Sequence, residues 1–240
     1  MLLAPGRALV AVATYNERDN LPPLVDAILA ALPDADLLVV DDDSPDGTGA
    51  WCEQHASAEP RLKCLRRTSE RGLGSATIAA FRYAIEHDYG LVLTMDADFS
   101  HPPEFLTALV AAADSADVVI GSRYVAGGAI EGWPLPRRIV SRLINGASRH
   151  LAGLAPRDCS GAFRCYRVEA LRRIDLAAIR SGGFAYLEEI LWHLQRSGAT
   201  IVEVPITFRE RRAGRSKTTI GEGVGKLKTI GRLACMRFRS

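Results

Sequence analysis

Residues 91–98 read Leu-Val-Leu-Thr-Met-Asp-Ala-Asp, an apolar run that ends in two acids separated by one residue. The run has the length of a strand, and its composition predicts a buried strand over Leu91–Met95. Two carboxylates at a strand end can both turn toward a cation, and Mg²⁺ and Mn²⁺ prefer such oxygens. Asp96 and Asp98 are therefore a candidate anchor for a metal and a diphosphate. The alternative is that Asp98 is a turn residue that caps the next helix, but its place after an apolar strand favours the metal.

The same pattern of an apolar run followed by a helical stretch recurs on both sides of this segment. The predicted strands are Ala8–Ala13, Leu37–Val40, Leu62–Leu65, Leu91–Met95 and Val118–Ile120. The predicted helices are Asn20–Leu32, Thr48–Ala56, Gly74–Glu86 and Pro103–Ala113. This alternation predicts an α/β fold with a mostly parallel, Rossmann-like sheet flanked by helices. Ligands of such sheets bind beyond the carboxyl ends of the strands, so residues 14–17, 41–43 and 96–98 should converge on one crevice.

The segment 41–48 packs four acids into eight residues directly after the second predicted strand. Asp46-Gly47 is typical of a turn and Thr48 of a helix cap, so part of the segment is structural. Asp41 and Asp42 lie nearest the strand end, where a carboxylate can accept hydrogen bonds from the N–H groups of a base. A purely structural role remains open for both residues at this point.

The C-terminal half is basic and interrupted after Gly121. A basic helix is predicted from Arg137 to about Leu151, with apolar residues between its arginines. That pattern suits a helix lying in an anionic lipid interface, although packing on the core would give the same periodicity. Residues 209–217 predict a mobile basic loop, and Ile220–Phe238 a last amphipathic helix. We expect one catalytic domain over residues 1–218, including the basic segment 134–151 and the loop 209–218, followed by an amphipathic helix over 219–240.

Composition narrows the setting of the protein. Hydrophobic residues make up 48% and charged residues 24% of the chain, which is ordinary for a globular protein. The five cysteines include no Cys-x-x-Cys pair, which argues against zinc and a disulfide framework and favours a reducing cytosol. No apolar run approaches the roughly 18 residues of a spanning helix, so we expect a cytoplasmic protein that at most lies on a membrane. We expect no nucleic-acid partner.

Several long motifs in order identify a family. The chain resembles the dolichol- or polyprenol-phosphate mannose synthases of glycosyltransferase family 2, which have a GT-A fold, and the resemblance covers nearly all of the sequence. The motifs are Ala13-Thr-Tyr-Asn-Glu17, Asp41-Asp-Asp-Ser-Pro-Asp-Gly-Thr48, Met95-Asp-Ala-Asp-Phe-Ser-His-Pro-Pro103, Gly121-Ser-Arg-Tyr124, Trp133-Pro134 with Arg137 and Ser141, and Phe208 with Arg211, Gly214, Ser216 and Lys217.

The resemblance implies GDP-mannose as donor, a polyprenyl phosphate as acceptor, Mg²⁺ or Mn²⁺ as cofactor, and work at a membrane surface. It implies catalytic roles for Asp98, Arg123 and Arg137, and a metal site at Asp96, Asp98 and Ser100. The acceptor phosphate would bind Arg123, Arg137 and Ser141. The nucleotide sugar would bind a longer set: Thr14, Tyr15, Glu17, Asp41, Asp42, Asp96, Ala97, Asp98, Arg211 and Lys217.

Three departures from the family pattern matter. Ser100 stands where relatives often have Gln, and Tyr186-Leu187-Glu188-Glu189 stands where the family often reads Phe-Gln-x-Glu, which leaves the roles of both glutamates open. Some members carry C-terminal spanning helices, and this sequence resembles the members without them, with a membrane-anchoring subunit left open as a partner.

The chemistry requires little of the protein beyond positioning. An acceptor phosphate is anionic near neutral pH and can attack the sugar without a protein base. The resemblance implies inversion at the anomeric carbon.

The rival interpretations are a lipid-phosphate glycosyltransferase that uses a UDP-sugar such as UDP-glucose, a nucleotidyltransferase, and a non-catalytic subunit.

Overall fold

A computed structural model describes residues 7–212 and 220–237 of the chain. The α-helices in these residues are α1 (Leu21–Ala31), α2 (Thr48–Ala56), α3 (Leu73–Glu86), α4 (Leu106–Ala112), α5 (Leu135–His150), α6 (Val168–Arg172), α7 (Tyr186–Arg196) and α8 (Ile220–Arg237). The strands are β1 (Ala8–Thr14), β2 (Asp36–Asp41), β3 (Leu62–Arg66), β4 (Leu91–Asp96), β5 (Val118–Ser122), β6 (Ala129–Ile130), β7 (Arg164–Arg167), β8 (Ile201–Pro205) and β9 (Thr207–Phe208).

Seven strands form the central sheet in the order β3-β2-β1-β4-β7-β5-β8. All neighbours pair in parallel except β7, which runs antiparallel to both β4 and β5. The α/β architecture with a mostly parallel sheet, expected from the alternation of strands and helices, is confirmed. The short strands β6 and β9 form a separate parallel pair beside it.

The alternation of side chains along β1 divides the interior into two cores. Leu9 and Ala11 point to one face, where α3, α6 and α7 pack, and α8 adds Leu233 to that core. Val10 and Val12 point to the other face, where α1 and α4 pack. A strand buried on both faces needs an uninterrupted apolar run, which explains the composition of β1, β2 and β4.

Two local features differ from the sequence-based expectations. The antiparallel strand β7 was not predicted, because its sequence Arg-Cys-Tyr-Arg has no apolar run to signal a buried strand. The helix predicted over Pro103–Ala113 begins as a 3₁₀ turn at Pro103–Phe105 and becomes α-helical only in α4. The predicted mobile loop 209–218 lies outside the described residues from residue 213 onward.

The helices carry no sign of a membrane span. Among the described residues, none is both long enough and apolar enough to cross a bilayer.

Candidate functional site

The carboxyl ends of three neighbouring strands bring the polar motifs together. In the sheet register, Thr14 at the end of β1 lies beside Asp41 of β2. On the other side of β1, Ala13 lies beside Asp96 at the end of β4. Because β1 stands between β2 and β4, the three polar segments meet at one edge of the sheet, as the order of strands and helices predicted.

The acid pair is held in a tight turn after β4. Phe99 adopts a left-handed backbone (φ +63°), which folds the chain back so that the N–H of Ser100 donates to Asp98 Oδ1 at 3.0 Å. The buried His101 ring stacks on Phe163 and accepts a hydrogen bond at Nδ1 from the N–H of Asp96 at 3.1 Å. Burial lowers the pKa of His101 to about 4, so its imidazole is neutral and fixes the position of Asp96.

Two observations test whether this turn fits a cation. Burial and the neighbouring Asp98 carboxylate raise the pKa of Asp96 to about 7, which is the behaviour of two acids that share too little positive charge. The hydroxyl oxygen of Ser100 is buried and has no hydrogen-bond partner among the described residues. The oxygens of Asp96, Asp98 and Ser100 therefore fit a hard divalent cation. Ala97 lies between the two acids with its side chain in the core.

The basic segment before residue 213 reaches the acid pair. The Arg211 guanidinium pairs with Asp98 Oδ2 at 3.1 Å. Backbone hydrogen bonds from Arg209 to Ser100 and from Arg212 to Asp98 hold the segment against the turn. Arg211 thus lies where the resemblance expects a donor-binding residue, whereas Lys217 lies outside the described residues.

The three predicted acceptor residues line one groove but differ in their surroundings. Arg123 is buried and donates to Asp158 through Nε at 2.7 Å and Nη2 at 2.6 Å. Arg137 lies over the Trp133 ring, with 4.0 Å between the guanidinium carbon and the ring centre. Ser141 Oγ accepts a 2.7 Å hydrogen bond from the Tyr124 hydroxyl.

This groove has a volume of about 1180 Å³ and runs between α5 and α8. One end is charged, and the acidic and basic residues there are Asp96, Asp98, Arg123, Arg137, Glu210 and Arg211; Lys226 also lines the groove. The other end is apolar, and its side chains include Val140, Leu143, Ile144, Val224 and Leu227. A ligand with a charged head and a long apolar tail matches this division.

Most of the predicted nucleotide-binding residues are engaged within the protein. Asp41 is fully buried and accepts hydrogen bonds from the hydroxyls of Thr14 (2.9 Å) and Ser44 (2.6 Å). The Asp42 carboxylate is paired with Arg67 and accepts the N–H of Gly72 at 2.6 Å.

Glu17 likewise accepts from the side-chain amide of Asn20 at 2.9 Å. In this arrangement these acids shape the loops around the edge of the sheet.

A cavity of about 480 Å³ opens beside these loops, and Tyr15 lines it. Its acid is Asp43, paired with Arg66 at 2.6 Å and contacted by Arg71 at 3.5 Å. Arg71 also lies over the Tyr15 ring. Sequence reasoning missed Asp43, Arg66 and Arg71, although Asp43 stands within the quoted acidic motif and the two arginines follow the third strand.

Lys226 is a further groove residue that the sequence did not reveal. It projects from α8 and pairs with the fully buried Glu188 of α7 at 3.1 Å. The next residue, Glu189, binds Arg232 of α8 at 2.7 Å. The two glutamates whose roles the sequence left open therefore attach α8 to α7. Their basic partners lie on α8, more than 30 residues further along the chain, so the sequence alone does not pair them.

Comparison with known proteins agrees with this geometry. The model of the family described as glycosyl transferase family 2 matches residues 9–175. The chain is 46% identical over 213 residues to a polyprenol monophosphomannose synthase of Mycolicibacterium smegmatis, covering 88% of this chain and 80% of that protein. It is 44% identical over 221 residues to an undecaprenyl-phosphate mannosyltransferase of Micrococcus luteus, covering 91% of each.

A solved structure with a similar fold is glucosyl-3-phosphoglycerate synthase from Mycobacterium tuberculosis, determined with Mn²⁺, UDP and glucosyl-3-phosphoglycerate. The likeness has a TM-score of 0.71 and covers 96% of this chain and 80% of that chain. At 18% identity it supports the fold alone, and it confirms the expected GT-A architecture.

Proposed function

This chain belongs to glycosyl transferase family 2, and we propose that it transfers mannose from GDP-mannose to a polyprenyl phosphate. Two relatives of 44–46% identity carry the names of polyprenyl-phosphate mannosyltransferases, which supports mannose and the lipid phosphate over a UDP-glucose enzyme. The choice of GDP as the nucleotide is the finer part of the proposal.

The observation that carries this function is the two-ended groove. Its charged end holds Asp96, Asp98, Arg123 and Arg137, and its apolar end continues between α5 and α8. A soluble sugar acceptor would not need the apolar end, whereas transfer of an isoprenoid chain from water into it lowers the free energy of the complex. The phosphate of the same molecule would then lie among the arginines, close to the acids that hold the donor.

The transfer itself is a displacement at the anomeric carbon. An oxygen of the acceptor phosphate forms a bond to C1 of mannose, the bond from C1 to the diphosphate breaks, and GDP leaves with the electron pair. Arg123, Arg137 and Ser141 would orient the attacking phosphate. Arg211, with Lys217, would offset charge on the departing diphosphate. Attack from the side opposite the diphosphate would invert the anomeric centre.

A divalent cation, Mg²⁺ or Mn²⁺, belongs to the proposal. Asp96, Asp98 and Ser100 would hold it, and it would supply Lewis-acid stabilisation of the leaving diphosphate. Among the described residues no group of three or more His, Cys, Asp or Glu side chains is placed to hold a metal ion, so the remaining ligands would be substrate phosphates and water.

Work at the surface of a membrane is the last part. Leu143 of α5 and Leu227 of α8 are 67% and 59% exposed at the apolar end of the groove, where an isoprenoid chain would enter. Exposed apolar side chains beside arginines suit a lipid interface. The cytoplasmic face remains a prediction from the sequence.

A transfer assay tests the function directly. Labelled mannose should move from GDP-mannose to a short polyprenyl phosphate, and a chelator should stop the transfer. A panel of donors under the same conditions should show no turnover with UDP-glucose or UDP-mannose. Turnover with UDP-sugars but not with GDP-mannose would overturn the choice of donor.

A further inference from the structure

A second basic pocket lies on the other side of α5 from the groove. It has a volume of about 490 Å³, and its basic residues are Arg123, Arg142, Arg149 and Arg157. Asn145 and Gly146 of α5 also line it. Because residue 146 has no side chain, and a Cβ there would meet nothing within 4 Å, space remains between Arg142 and Arg149.

The pocket carries a surplus of positive charge. Arg123 is neutralised by the buried carboxylate of Asp158 at 2.6 Å. Arg142, Arg149 and Arg157 are exposed, and none of them forms a salt bridge within the described parts of the chain. Glu203 accepts the backbone N–H of Arg157 at 2.7 Å but forms no salt bridge with its guanidinium among the described residues. Three positive charges therefore remain that an anion between them would compensate.

The floor of the pocket is rigid. Asn145 accepts hydrogen bonds from the N–H groups of Cys159 (2.7 Å) and Ser160 (3.2 Å). Its amide donates to Ser160 Oγ at 3.1 Å. The loop that bears Arg157 is thereby fixed to the helix that bears Arg142. The backbone segments that carry the three arginines are thus held together, so the binding of an anion between them requires less ordering of the chain.

The rotation of α5 places this pocket beside a strip of exposed apolar side chains. Residues 142, 145, 146 and 149 share one face by their spacing of three and four, and residues 137, 141 and 144 share the face at the groove. Leu135, Ile139 and Leu143 run between the two faces and are 69%, 49% and 67% exposed. If this strip dips into a membrane, the arginines lie along its flank at the depth of the phosphates.

We propose that the pocket formed by Arg142, Arg149 and Arg157 binds the phosphate of an anionic phospholipid headgroup. The site is distinct from the proposed acceptor site at Arg137 and Ser141 across α5, although Arg123 lines both the groove and this pocket. It would hold α5 on the bilayer in the one rotation that opens the groove toward the lipid chains. The inference rests on the proposed association with a membrane and adds the site that fixes it.

Sedimentation with vesicles tests the site. The full chain is mixed with vesicles of phosphatidylcholine alone, or of phosphatidylcholine and phosphatidylglycerol in equal parts. Wild type should bind the mixed vesicles more tightly. The triple variant R142Q/R149Q/R157Q should lose on the order of a hundredfold in binding to them, at roughly fivefold for each arginine near an anionic surface.

Two further variants separate a site from diffuse attraction. R82Q/R172Q/R173Q removes the same charge from exposed arginines of α3 and the end of α6, and it should bind as wild type does. R142K/R149K/R157K keeps the charge but not the planar fork, and it should lose several-fold. A glutamine variant within twofold of wild type overturns the proposal, as does a lysine variant equal to wild type.

The source of the phosphate and the underlying premise have their own outcomes. An arginine-modifying reagent measures whether the three arginines are covered. If soluble glycerol phosphate protects them from the reagent as well as vesicles do, the assignment to a membrane lipid is overturned. Wild type that failed to bind any vesicle would overturn the membrane association itself. Mannose transfer to a short acceptor in solution should be unchanged in the glutamine variant. Loss of this activity would show that the arginines contribute to catalysis and would overturn a purely lipid-binding role.

Discussion

Single residues at this site differ in what surrounds their charges. Asp96 and Asp98 share a turn in which two carboxylates lie beside one guanidinium, that of Arg211. Arg123, by contrast, forms a closed pair with Asp158. Burial alone raises the pKa of Asp158, but the Arg123 guanidinium outweighs it and holds that pKa below its usual value. The acid pair is thus left short of positive charge, whereas the charge of Arg123 is compensated within the fold.

The substitution Asp98→Asn should therefore abolish function and spare stability. The asparagine oxygen can still accept the N–H of Ser100, while one charge of the acid pair is lost. We expect kcat/KM for mannose transfer to fall about a hundredfold or more. The melting temperature should stay within about 2 °C, because the like-charge repulsion with Asp96 is relieved.

The exposed Asp114→Asn at the end of α4 is the matched control and should keep full activity. A variant at Asp98 with normal transfer would argue against a metal or donor role for this residue.

The two arginines of the groove should respond differently to truncation. Arg123→Ala leaves the fully buried Asp158 without its partner, which should cost about 3–5 kcal/mol of unfolding free energy. Among the described residues, Arg137→Ala breaks only a contact with the Trp133 ring, so about 1 kcal/mol is expected. Urea unfolding measures both changes.

Kinetics on the stable variant then isolate the contact with the acceptor. Arg137→Ala should raise KM for the polyprenyl phosphate roughly tenfold to a hundredfold, the worth of one charged hydrogen bond. Arg82→Ala, which is exposed on α3, is the control. An unchanged KM would remove Arg137 from the acceptor site.

At the scale of elements, the junction of α7 and α8 decides whether the groove has two walls. Glu188 of α7 is fully buried against Lys226, and Glu189 takes Arg232 as well as the N–H groups of Arg180 and Ser181. Burial raises the pKa of Glu188, while Lys226 and Arg164 oppose that rise. The wall therefore depends on charge compensation inside the protein.

The substitution Lys226→Met should destabilise the protein more at high pH than at low pH. When the pKa of an acid is higher in the folded chain than in the unfolded chain, the folded protein loses stability as the pH rises through the folded pKa. Loss of Lys226 moves the folded pKa of Glu188 higher still. We expect about 3–5 kcal/mol of destabilisation at about pH 8 and clearly less at about pH 5.

Two variants check the cause. Lys228→Met replaces an exposed lysine of the same helix, and its effect on the free energy of unfolding should be the same at both pH values. The double variant Lys226→Met with Glu188→Gln should recover most of the lost stability. Equal destabilisation by Lys226→Met at both pH values would show that Glu188 is not its electrostatic partner.

At the scale of the whole molecule, the cores and the site are separate. Two apolar cores cover the two faces of the sheet, and the candidate ligand groups stand beyond its carboxyl edge. Removal of a cation should therefore leave the fold intact. Ligand binding should act on stability only through mass action, since the folded chain alone offers the site.

Thermal unfolding in three conditions, each compared with the untreated protein, measures this separation. A chelator alone should shift the melting temperature by no more than about 1 °C. GDP with Mn²⁺, each at about a hundred times its dissociation constant, should raise it by roughly 5–10 °C. GDP without metal should raise it much less. Loss of the folded baseline in the chelator would contradict the separation.

The fold was predictable to a large extent because its signal is local. A strand buried on both faces must be apolar throughout, so the sequence predicts β1, β2 and β4. The polar residues at their carboxyl ends follow directly in the chain. The antiparallel strand β7 could not be predicted in this way. Its Arg164 is buried and donates to the carbonyl groups of Leu187 and Cys159, and such partners leave no pattern in the sequence.

The sequence by itself determined the alternation of strands and helices, the acid pair after β4 and, through ordered motifs, the family. The tertiary structure alone decided how the acids are paired: Asp41 and Asp42 contact Thr14, Ser44 and Arg67, while Asp43 lines the cavity beside Tyr15. It also decided that Lys226 shares a groove with Asp96 and that three arginines gather beside Gly146. The physical reason is that hydrogen bonding and ion pairing between distant segments depend on their approach in space, whereas hydrophobic periodicity is written along the chain.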